Sequence, residues 1–367
     1  MNILSVLENL DIKDDVVEEL KREKLPLFMW GIGELATEIN EYLKKNDIHI
    51  QAAFVSENYY AEALMFDGKM VQKYSDIKKY GKFNVIIGHS NYEKYYVMEE
   101  KEEVNKVFCL FSVNYGIFHK TPMEEIEKFQ REFEDTYDLF EDEESKRTYI
   151  SFLKTRVSGN MKYVLENYKK EMNFFNNDIF KVTDQECFLD IGAFDGDTIR
   201  LFMKECGGKY QTIYALEPDD VNRKKLMEYI QKEELQNVYI SEKGAWDKKG
   251  YLKFETVGEQ ISSVICESAQ DVPGIEMIAA EPVDFIFQYK EKVTLLKINY
   301  LEGVEEALRG AGNILRNDAP KVAVTVGFTC ENVRKIPKVI KSINPEYKLF
   351  LRYNRGMLSA LTLYAIV

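Results

Sequence analysis

The stretch from Cys187 to Phe202, CFLDIGAFDGDTIRLF, constrains the fold more than any other part of the chain. Its short apolar run predicts a buried strand, its glycines and acids predict a turn, and the amphipathic pattern that follows predicts a helix. A strand that runs through a glycine turn into a helix is typical of a parallel α/β sheet, in which helices connect neighbouring strands.

The same alternation continues to the C-terminus. The strand patterns are CFLDI, QTIYALE, NVYIS, VTLLKIN, KVAVTV, YKLFLRY and SALTLYAIV, and helical patterns follow the first, second, fourth and fifth. NRGM alone joins the last two, which allows a hairpin but is too short for a parallel crossover. We therefore predict an α/β domain over residues 181–367, with a mostly parallel seven-stranded sheet that ends in an antiparallel pair.

A smaller α/β domain is predicted over residues 1–120, because a chain of 367 residues is long enough for two cores. Its strand patterns are LPLFMW, IHIQAAFV, NVIIG and KVFCLF, and GIGELATEINEYLKK predicts a glycine turn and a helix. Residues 121–180 have a charged helical pattern, and we interpret them as a helical connector.

The net charge and the distribution of cysteines limit which binding partners and which cellular compartment we expect. The formal net charge of -13 disfavours nucleic acid and anionic membrane surfaces. We find no long apolar run and no signal-peptide pattern at the start, so we expect a cytoplasmic protein with no membrane contact. The 5 cysteines are scattered without a CxxC pair, so neither a disulfide framework nor a metal site is expected.

The turn after the first strand of the large domain is the candidate ligand site. Gly192 and Gly196 would let the backbone approach a ligand closely. Asp190, Asp195 and Asp197 stand where a pyrophosphate would lie, and like charges at that range repel by about a few kcal/mol. The turn therefore disfavours a dinucleotide and favours a ligand with positive charge.

A second acid supports a nucleoside ligand. Glu217 ends the neighbouring strand, where it could accept hydrogen bonds from both hydroxyls of a ribose. A ribose, a cationic amino-acid portion and no phosphate describe S-adenosylmethionine. Ala245 and Trp246, after the third strand, are candidates for the adenine contact, although Trp246 could equally be a core residue. The alternative role for Asp190 and Glu217 is helix and loop capping.

With these residues in place, the sequence resembles the FkbM family of S-adenosylmethionine-dependent methyltransferases. The matching blocks follow one another as FLDIGAFDGDTI, IYALEPDDVNRKKL, EKGAWDKKGYLKF, VTLLKI, EALRGAGNIL, PKVAVTV and LTLYA. The resemblance implies a class I methyltransferase domain with a Rossmann-like sheet, S-adenosylmethionine as cofactor, and O-methylation of a carbohydrate or small metabolite. Carried over by position, it places Asp190, Gly192, Gly196 and Asp197 in the cofactor loop and Glu217 on the ribose.

The substrate side departs from the family pattern. In KINYLEG, Asn299 stands at the expected aspartate and Leu301 at the expected glutamate, and Glu302 comes one position late. Phe328 and Tyr353 occupy places where the family tends to have histidine, and Ala360 replaces an expected acid. These departures weaken the case for a general base, which typically contributes about 10²- to 10⁴-fold to proton removal.

Three side chains remain as candidate bases, namely Glu302, Asp284 and Tyr300. Lys297 and Asn299 are candidates for orienting the acceptor. For Lys297, an internal ion pair with Asp284 is the alternative.

The N-terminal turn WGIGELATEI places Gly31, Gly33 and Ala36 in a GxGxxA pattern after a strand, and Glu57 ends the next strand. The pattern allows two interpretations, a nucleotide or sugar-nucleotide site, or a docking or substrate-presenting module in which the turn serves helix packing.

Two main hypotheses result. The first is an S-adenosylmethionine-dependent methyltransferase with a small-molecule or carbohydrate acceptor. The second is a catalytically silent, methyltransferase-like protein that binds the cofactor and serves a protein partner or a homo-oligomer. A third hypothesis makes the N-terminal domain a sugar-nucleotide sensor or a reductase fragment.

Overall fold

A computed structural model describes residues 1–8, 10, 15–89, 94–110, 120–169, 171–257, 261–265, 275–300, 302–354 and 360–367. Its packing divides the chain into two compact units, each described here by itself. Unit 1 comprises residues 1–134, 147–170 and 355–360, and unit 2 comprises residues 135–146, 171–354 and 361–367. The three-part boundaries expected from the sequence remain predictions.

The first half of the chain alternates short strands and helices. These are α1 (Ile3–Glu8), α2 (Val16–Arg22), β1 (Leu27–Trp30), α3 (Glu34–Lys45), β2 (Ala52–Val55), β3 (Met65–Phe66), β4 (Lys69–Met70), β5 (Gln72–Lys73), α4 (Tyr74–Ile77), β6 (Phe83–Ile87), α5 (Lys94–Glu99) and β7 (Val104–Phe108). Helices α6 (Met123–Lys128), α7 (Gln130–Tyr137), α8 (Glu143–Ser158) and α9 (Lys162–Leu165) follow.

A five-stranded parallel sheet in the order β5-β2-β1-β6-β7 forms the centre of unit 1. Its strands β1, β2 and β6 are buried along their whole length. Helix α3 covers the sheet with Ala36, Ile39 and Leu43, which recur every three or four residues on one helix face. The predicted small α/β domain is confirmed.

Unit 2 holds the second α/β alternation. Its elements are β8 (Cys187–Ile191), α10 (Asp197–Glu205), β9 (Thr212–Leu216), α11 (Asp220–Lys232), β10 (Val238–Ser241), β11 (Gly244–Trp246), β12 (Gly250–Val257), β13 (Ile261–Ile265), β14 (Ile275–Pro282), α12 (Val283–Ile286), β15 (Leu295–Ile298), α13 (Val304–Gly310), β16 (Lys321–Thr325), α14 (Cys330–Ile343), β17 (Lys348–Tyr353) and β18 (Leu361–Ile366).

A seven-stranded sheet in the order β10-β9-β8-β15-β16-β18-β17 organises unit 2. β18 is antiparallel to both of its neighbours, and the remaining pairs are parallel. The predicted mostly parallel sheet with an antiparallel end is therefore confirmed. β17 ends at Tyr353 and β18 begins at Leu361, so their connection is longer than the predicted NRGM.

A four-stranded sheet in the order β11-β14-β12-β13 was not predicted from the sequence. It inserts between β10 and β15 along the chain, and it contains β11, whose Ala245 and Trp246 were candidates for the adenine contact. A hairpin of two short strands, β3 and β4, was also missed in unit 1.

Within the residues that the structure describes, no helix is long and apolar enough to cross a membrane.

Candidate cofactor site at the edge of the seven-stranded sheet

The turn between β8 and α10 lies at the carboxyl ends of the parallel strands. Gly192 has φ +76° and Gly196 has φ +87°, a region that side chains other than glycine rarely adopt. A Cβ added at Gly192 would lie 2.9 Å from the Asn299 carbonyl oxygen, so only glycine lets the turn pass this close to the end of β15. Gly192 donates its N–H to the Leu216 carbonyl at 3.0 Å, which ties the turn to β9 as well.

Glu217 lies directly beyond β9, beside this turn. Its side chain is buried, one carboxylate oxygen accepts the N–H of Phe194 at 2.7 Å, and the other accepts the N–H of Asp219 at 3.0 Å. Burial raises the pKa of Glu217 to about 7. The loop-capping role considered for this acid is therefore present, and the ribose role remains a prediction that the second lone pair on each oxygen allows.

Asp190 and Lys297 form an ion pair inside the sheet. Both side chains are fully buried, and the Lys297 Nζ donates to Asp190 Oδ1 at 2.8 Å and to the Gly192 carbonyl at 2.8 Å. Burial raises the pKa of Asp190, and the neighbouring ammonium opposes that rise. The alternative pairing of Lys297 with Asp284 is wrong, because Asp284 instead accepts the N–H groups of two residues that follow α13.

The charge of the turn differs from the sequence-based expectation. The buried carboxylate of Asp190 has Lys297 as its cation, and Asp195 is paired with Arg200 at 3.0 Å. Asp197 is exposed, and its Oδ1 accepts the N–H of the next residue at 2.7 Å. The sequence argument named no cation for these acids, whereas the fold pairs Asp190 with Lys297, 107 positions away, and Asp195 with Arg200 on α10.

Trp246 and Ala245 lie on β11 of the four-stranded sheet. Trp246 is buried in a small apolar cluster with Leu252 and Ala280, and a Cβ added at Gly303 would lie 2.8 Å from its ring. The core role left open for Trp246 is therefore present. Ala245 is partly exposed, and the adenine contact remains a prediction for both residues.

The catalytic candidates lie at and beyond the end of β15. Asn299 and Tyr300 are partly exposed next to the glycine turn, while Glu302 is exposed and Leu301 lies outside the described residues. Desolvation raises the pKa of Tyr300, which keeps its phenol protonated and unsuited to act as a base. Asp284 is committed to backbone N–H groups, so the fold brings Lys297 and Asn299 to the turn but not Asp284.

Two residues near the site were not singled out from the sequence. The ring of Phe174 lies 5.9 Å from the Lys297 Nζ. Thr325 ends β16, and its buried hydroxyl has no hydrogen-bond partner within the described part of the chain. A polar residue closing the apolar strand KVAVT was the one indication available for Thr325, whereas Phe174 reaches the site only through the fold.

Three further residues depart from the family pattern. Phe328 is partly exposed between β16 and α14, Tyr353 is buried at the end of β17, and Ala360 is partly exposed before β18. Among the described residues, no group of three or more His, Cys, Asp or Glu side chains is arranged to hold a metal ion.

The residues of the site fit a nucleoside cofactor. A left-handed glycine turn passes close to the end of β15, and a buried carboxylate stands directly beyond the adjacent strand β9. Together with the antiparallel β18, this arrangement defines an α/β fold of the class I methyltransferase type.

Comparison with known proteins supports this fold class. No protein-family model and no curated protein sequence matches the chain. Among solved structures, the methyltransferase FkbM from Methylobacillus flagellatus KT matches with a TM-score of 0.70 at 15% identity, over 99% of this chain and 98% of that one. The chain therefore has an FkbM-like methyltransferase fold, and the match extends over both units.

Two weaker matches cover about half of the chain. Precorrin-6y C5,15-methyltransferase from Geobacter metallireducens GS-15 has a TM-score of 0.33 at 10% identity, over 55% of this chain and 94% of that one. Fibrillarin from Aeropyrum pernix, solved with natively bound S-adenosyl-L-methionine, has a TM-score of 0.34 at 13% identity, over 51% of this chain and 70% of that one.

Proposed function

We propose that the protein binds S-adenosylmethionine at the carboxyl ends of β8 and β9 and methylates a hydroxyl oxygen of a carbohydrate or small metabolite. The observation that carries the proposal is the buried carboxylate of Glu217 beside the glycine turn, on an FkbM-like fold. When bound, S-adenosylmethionine supplies a methyl group on a sulfonium sulfur, and S-adenosylhomocysteine leaves as a neutral thioether.

The binding role rests on three residues of the site. Glu217 accepts the hydroxyl hydrogens of the ribose, using the lone pairs that Phe194 and Asp219 leave open. Gly192 lets the turn pass close to the Asn299 carbonyl and so sets the shape of the turn, and the exposed Asp197 provides the negative charge for a cationic amino-acid portion. Asp190 takes no direct part in this proposal, because its cation is Lys297.

The acceptor role rests on the residues after β15. The Asn299 amide can both donate to and accept from an acceptor hydroxyl. The Tyr300 hydroxyl stays protonated and donates to the Gly303 carbonyl at 3.4 Å, so it supports the segment after β15. Glu302 is an exposed carboxylate that follows β15 closely in sequence, and it is the proposed base. Holding the acceptor in line with the methyl group provides much of the remaining rate.

A second candidate function is a catalytically silent protein that binds the cofactor and acts as a partner or scaffold. The specific observation in its favour is that Asn299, at the expected aspartate, cannot take a proton, and that Tyr300 cannot do so near neutral pH. In this function the cofactor site is retained and methyl transfer is lost.

Thermal unfolding with S-adenosylhomocysteine tests cofactor binding. A ligand that binds only the folded chain, present at about 100 times its Kd, adds about 2.7 kcal/mol of stability and raises Tm by roughly 5 °C or more. Glu217→Gln should remove most of this rise. Glu186→Gln is the matched control, since Glu186 is also buried and accepts a backbone N–H, but it precedes β8 at the opposite end of the strand.

The outcomes separate the two functions. If wild type shows no rise in Tm, or if Glu217→Gln and Glu186→Gln retain it equally, the cofactor site is wrongly placed. Release of S-adenosylhomocysteine from S-adenosylmethionine with a panel of hydroxylated acceptors supports the enzyme. Tight binding without turnover on any acceptor supports the silent protein.

A further inference from the structure

The ammonium of Lys297 occupies a position inside the cofactor turn. β15 pairs with β8 in a register that sets Lys297 opposite Asp190. Both side chains are fully buried, and Nζ lies 2.8 Å from Asp190 Oδ1 and 2.8 Å from the Gly192 carbonyl. A buried ammonium is costly unless its N–H groups are paired, so these two bonds fix its position.

The peptide of Gly192 is held from both neighbouring strands. Its N–H donates to the Leu216 carbonyl of β9 at 3.0 Å, and its carbonyl accepts from Lys297 of β15. The next anchor is Glu217, which accepts the N–H of Phe194 at 2.7 Å. Hydrogen bonds to β9 and β15 therefore hold the turn from both sides, and the bond to β15 comes from the ammonium of Lys297.

We propose that Lys297 is a positioning residue for the cofactor turn, and that it acts through the Gly192 carbonyl instead of orienting the acceptor. This inference rests on the proposed function, because the turn matters only if a nucleoside cofactor meets it. Its physical basis is that Lys297 already neutralises Asp190, so the pair sets the shape of the turn and leaves recognition of the ligand's ammonium to other groups.

Four variants separate positioning from charge compensation. Lys297→Met removes both bonds while keeping the volume. Asp190→Asn removes the charge but keeps an oxygen that can accept from Lys297. The double variant Asp190→Asn/Lys297→Met removes the unpaired buried charge that the lysine variant leaves behind. Lys321→Met is the matched control, because Lys321 likewise bonds a buried glutamate, Glu186, and a backbone carbonyl.

Calorimetric titration with S-adenosylhomocysteine gives the first readout. We expect Lys297→Met to weaken affinity about 10- to 100-fold, the loss of one charged hydrogen bond. Asp190→Asn should weaken it less than about fivefold. The double variant should recover Tm relative to Lys297→Met and yet remain weak in binding, whereas Lys321→Met should lower Tm and change affinity by less than about twofold.

Hydrogen exchange of the ligand-free protein gives a readout that does not depend on the cofactor. With Lys297 replaced, the amides of Ala193 and Phe194 should exchange faster relative to the rest of the sheet. Unchanged exchange there, or full affinity in the folded double variant, would overturn the positioning role. If wild type binds no S-adenosylhomocysteine, the proposed function fails, and exchange still decides whether Lys297 holds the turn.

Discussion

The two units each contain a parallel strand that leads through a glycine turn into a helix, and the two turns differ in what fixes them. In unit 1, a Cβ added at Gly31 would lie 2.7 Å from the Gly88 carbonyl oxygen, so glycine allows one backbone to pass another. In unit 2, Gly192 allows a similar approach to the Asn299 carbonyl, but Lys297 and Glu217 also bond the turn. Glycine spacing by itself therefore does not distinguish a packing turn from a binding turn.

The acid that follows β2 in unit 1 and the acid that follows β9 in unit 2 also differ in how the fold holds them. Glu57 follows β2, is exposed, and accepts the N–H of Ser75 at 3.1 Å. Its own backbone amide and that of Ser75 lower the pKa of Glu57. Glu217 follows β9, is buried, and has a raised pKa. A buried acid with a raised pKa is more typical of a functional site than an exposed acid at a helix start. The nucleotide role at Glu57 stays a prediction.

Replacing the first glycine of each turn should have the largest effect. Gly31→Ala and Gly192→Ala each force a side chain into left-handed backbone and into contact with a carbonyl oxygen. Each should cost roughly 2–5 kcal/mol of unfolding free energy. Titration of the folded fraction should show loss of S-adenosylhomocysteine affinity for Gly192→Ala alone. Equal loss in both variants would mean that the turns do not differ in function.

The raised pKa of Glu217 predicts that stability and ligand affinity depend on pH. Burial raises its pKa from 4.5 to about 7, so between these values the folded chain keeps a proton that the unfolded chain releases. The contribution of Glu217 to stability therefore falls as pH rises through this window. S-adenosylhomocysteine affinity should rise over the same window, because the ionised carboxylate is the better acceptor for ribose, and should level off above about pH 8.

Titrations at several pH values measure this effect, with Glu217→Gln as the control. The variant should bind weakly and lose the pH dependence. An affinity that is flat from pH 5 to 8 in wild type would show that Glu217 does not meet the ligand in its ionised form.

Removing the corresponding acid of unit 1 should matter much less. Glu57→Ala takes away the acceptor of one exposed backbone amide and should cost under about 1 kcal/mol, measured by urea unfolding. S-adenosylhomocysteine affinity should not change. A loss comparable to that of Glu217→Gln would end the distinction between the two acids.

The smallest effect is expected at Gly33. It has φ −76° before α3, and an added Cβ would meet no atom within 4 Å. Gly33 is the N-cap of α3, where alanine is less favourable than glycine, so Gly33→Ala should cost about 0.5 kcal/mol. A large loss would show that this glycine is needed for something other than the fold, and would favour a ligand at the unit 1 turn.

Most elements of both main sheets could be predicted from the sequence. Runs such as CFLDI and KVAVT are buried along nearly their whole length, and apolar runs between turn residues predict such strands directly. The four-stranded sheet was missed because β11 has three residues and β12 to β14 carry mixed side chains, a pattern that does not separate strand from loop.

At the candidate site, the sequence located the turn and its acids but not the cations that pair with them. Asp190 and Glu217 could be named because Asp190 lies one residue before the end of the apolar strand β8 and Glu217 directly follows the apolar strand β9. That Lys297 neutralises Asp190 could not be read from the sequence, because the two residues are 107 positions apart and meet only through the pairing of β15 with β8. The same holds for Phe174, which approaches Lys297 from a segment before β8.

The amino-acid sequence by itself determined two α/β sheets, the glycine turn at their carboxyl edges and the resemblance to FkbM methyltransferases, because strand and turn preferences are local. The tertiary structure alone decided which acids are compensated, which are buried and which side chains hold the turn. These properties depend on distances of a few ångströms between residues far apart in the chain, since charge and desolvation act through space.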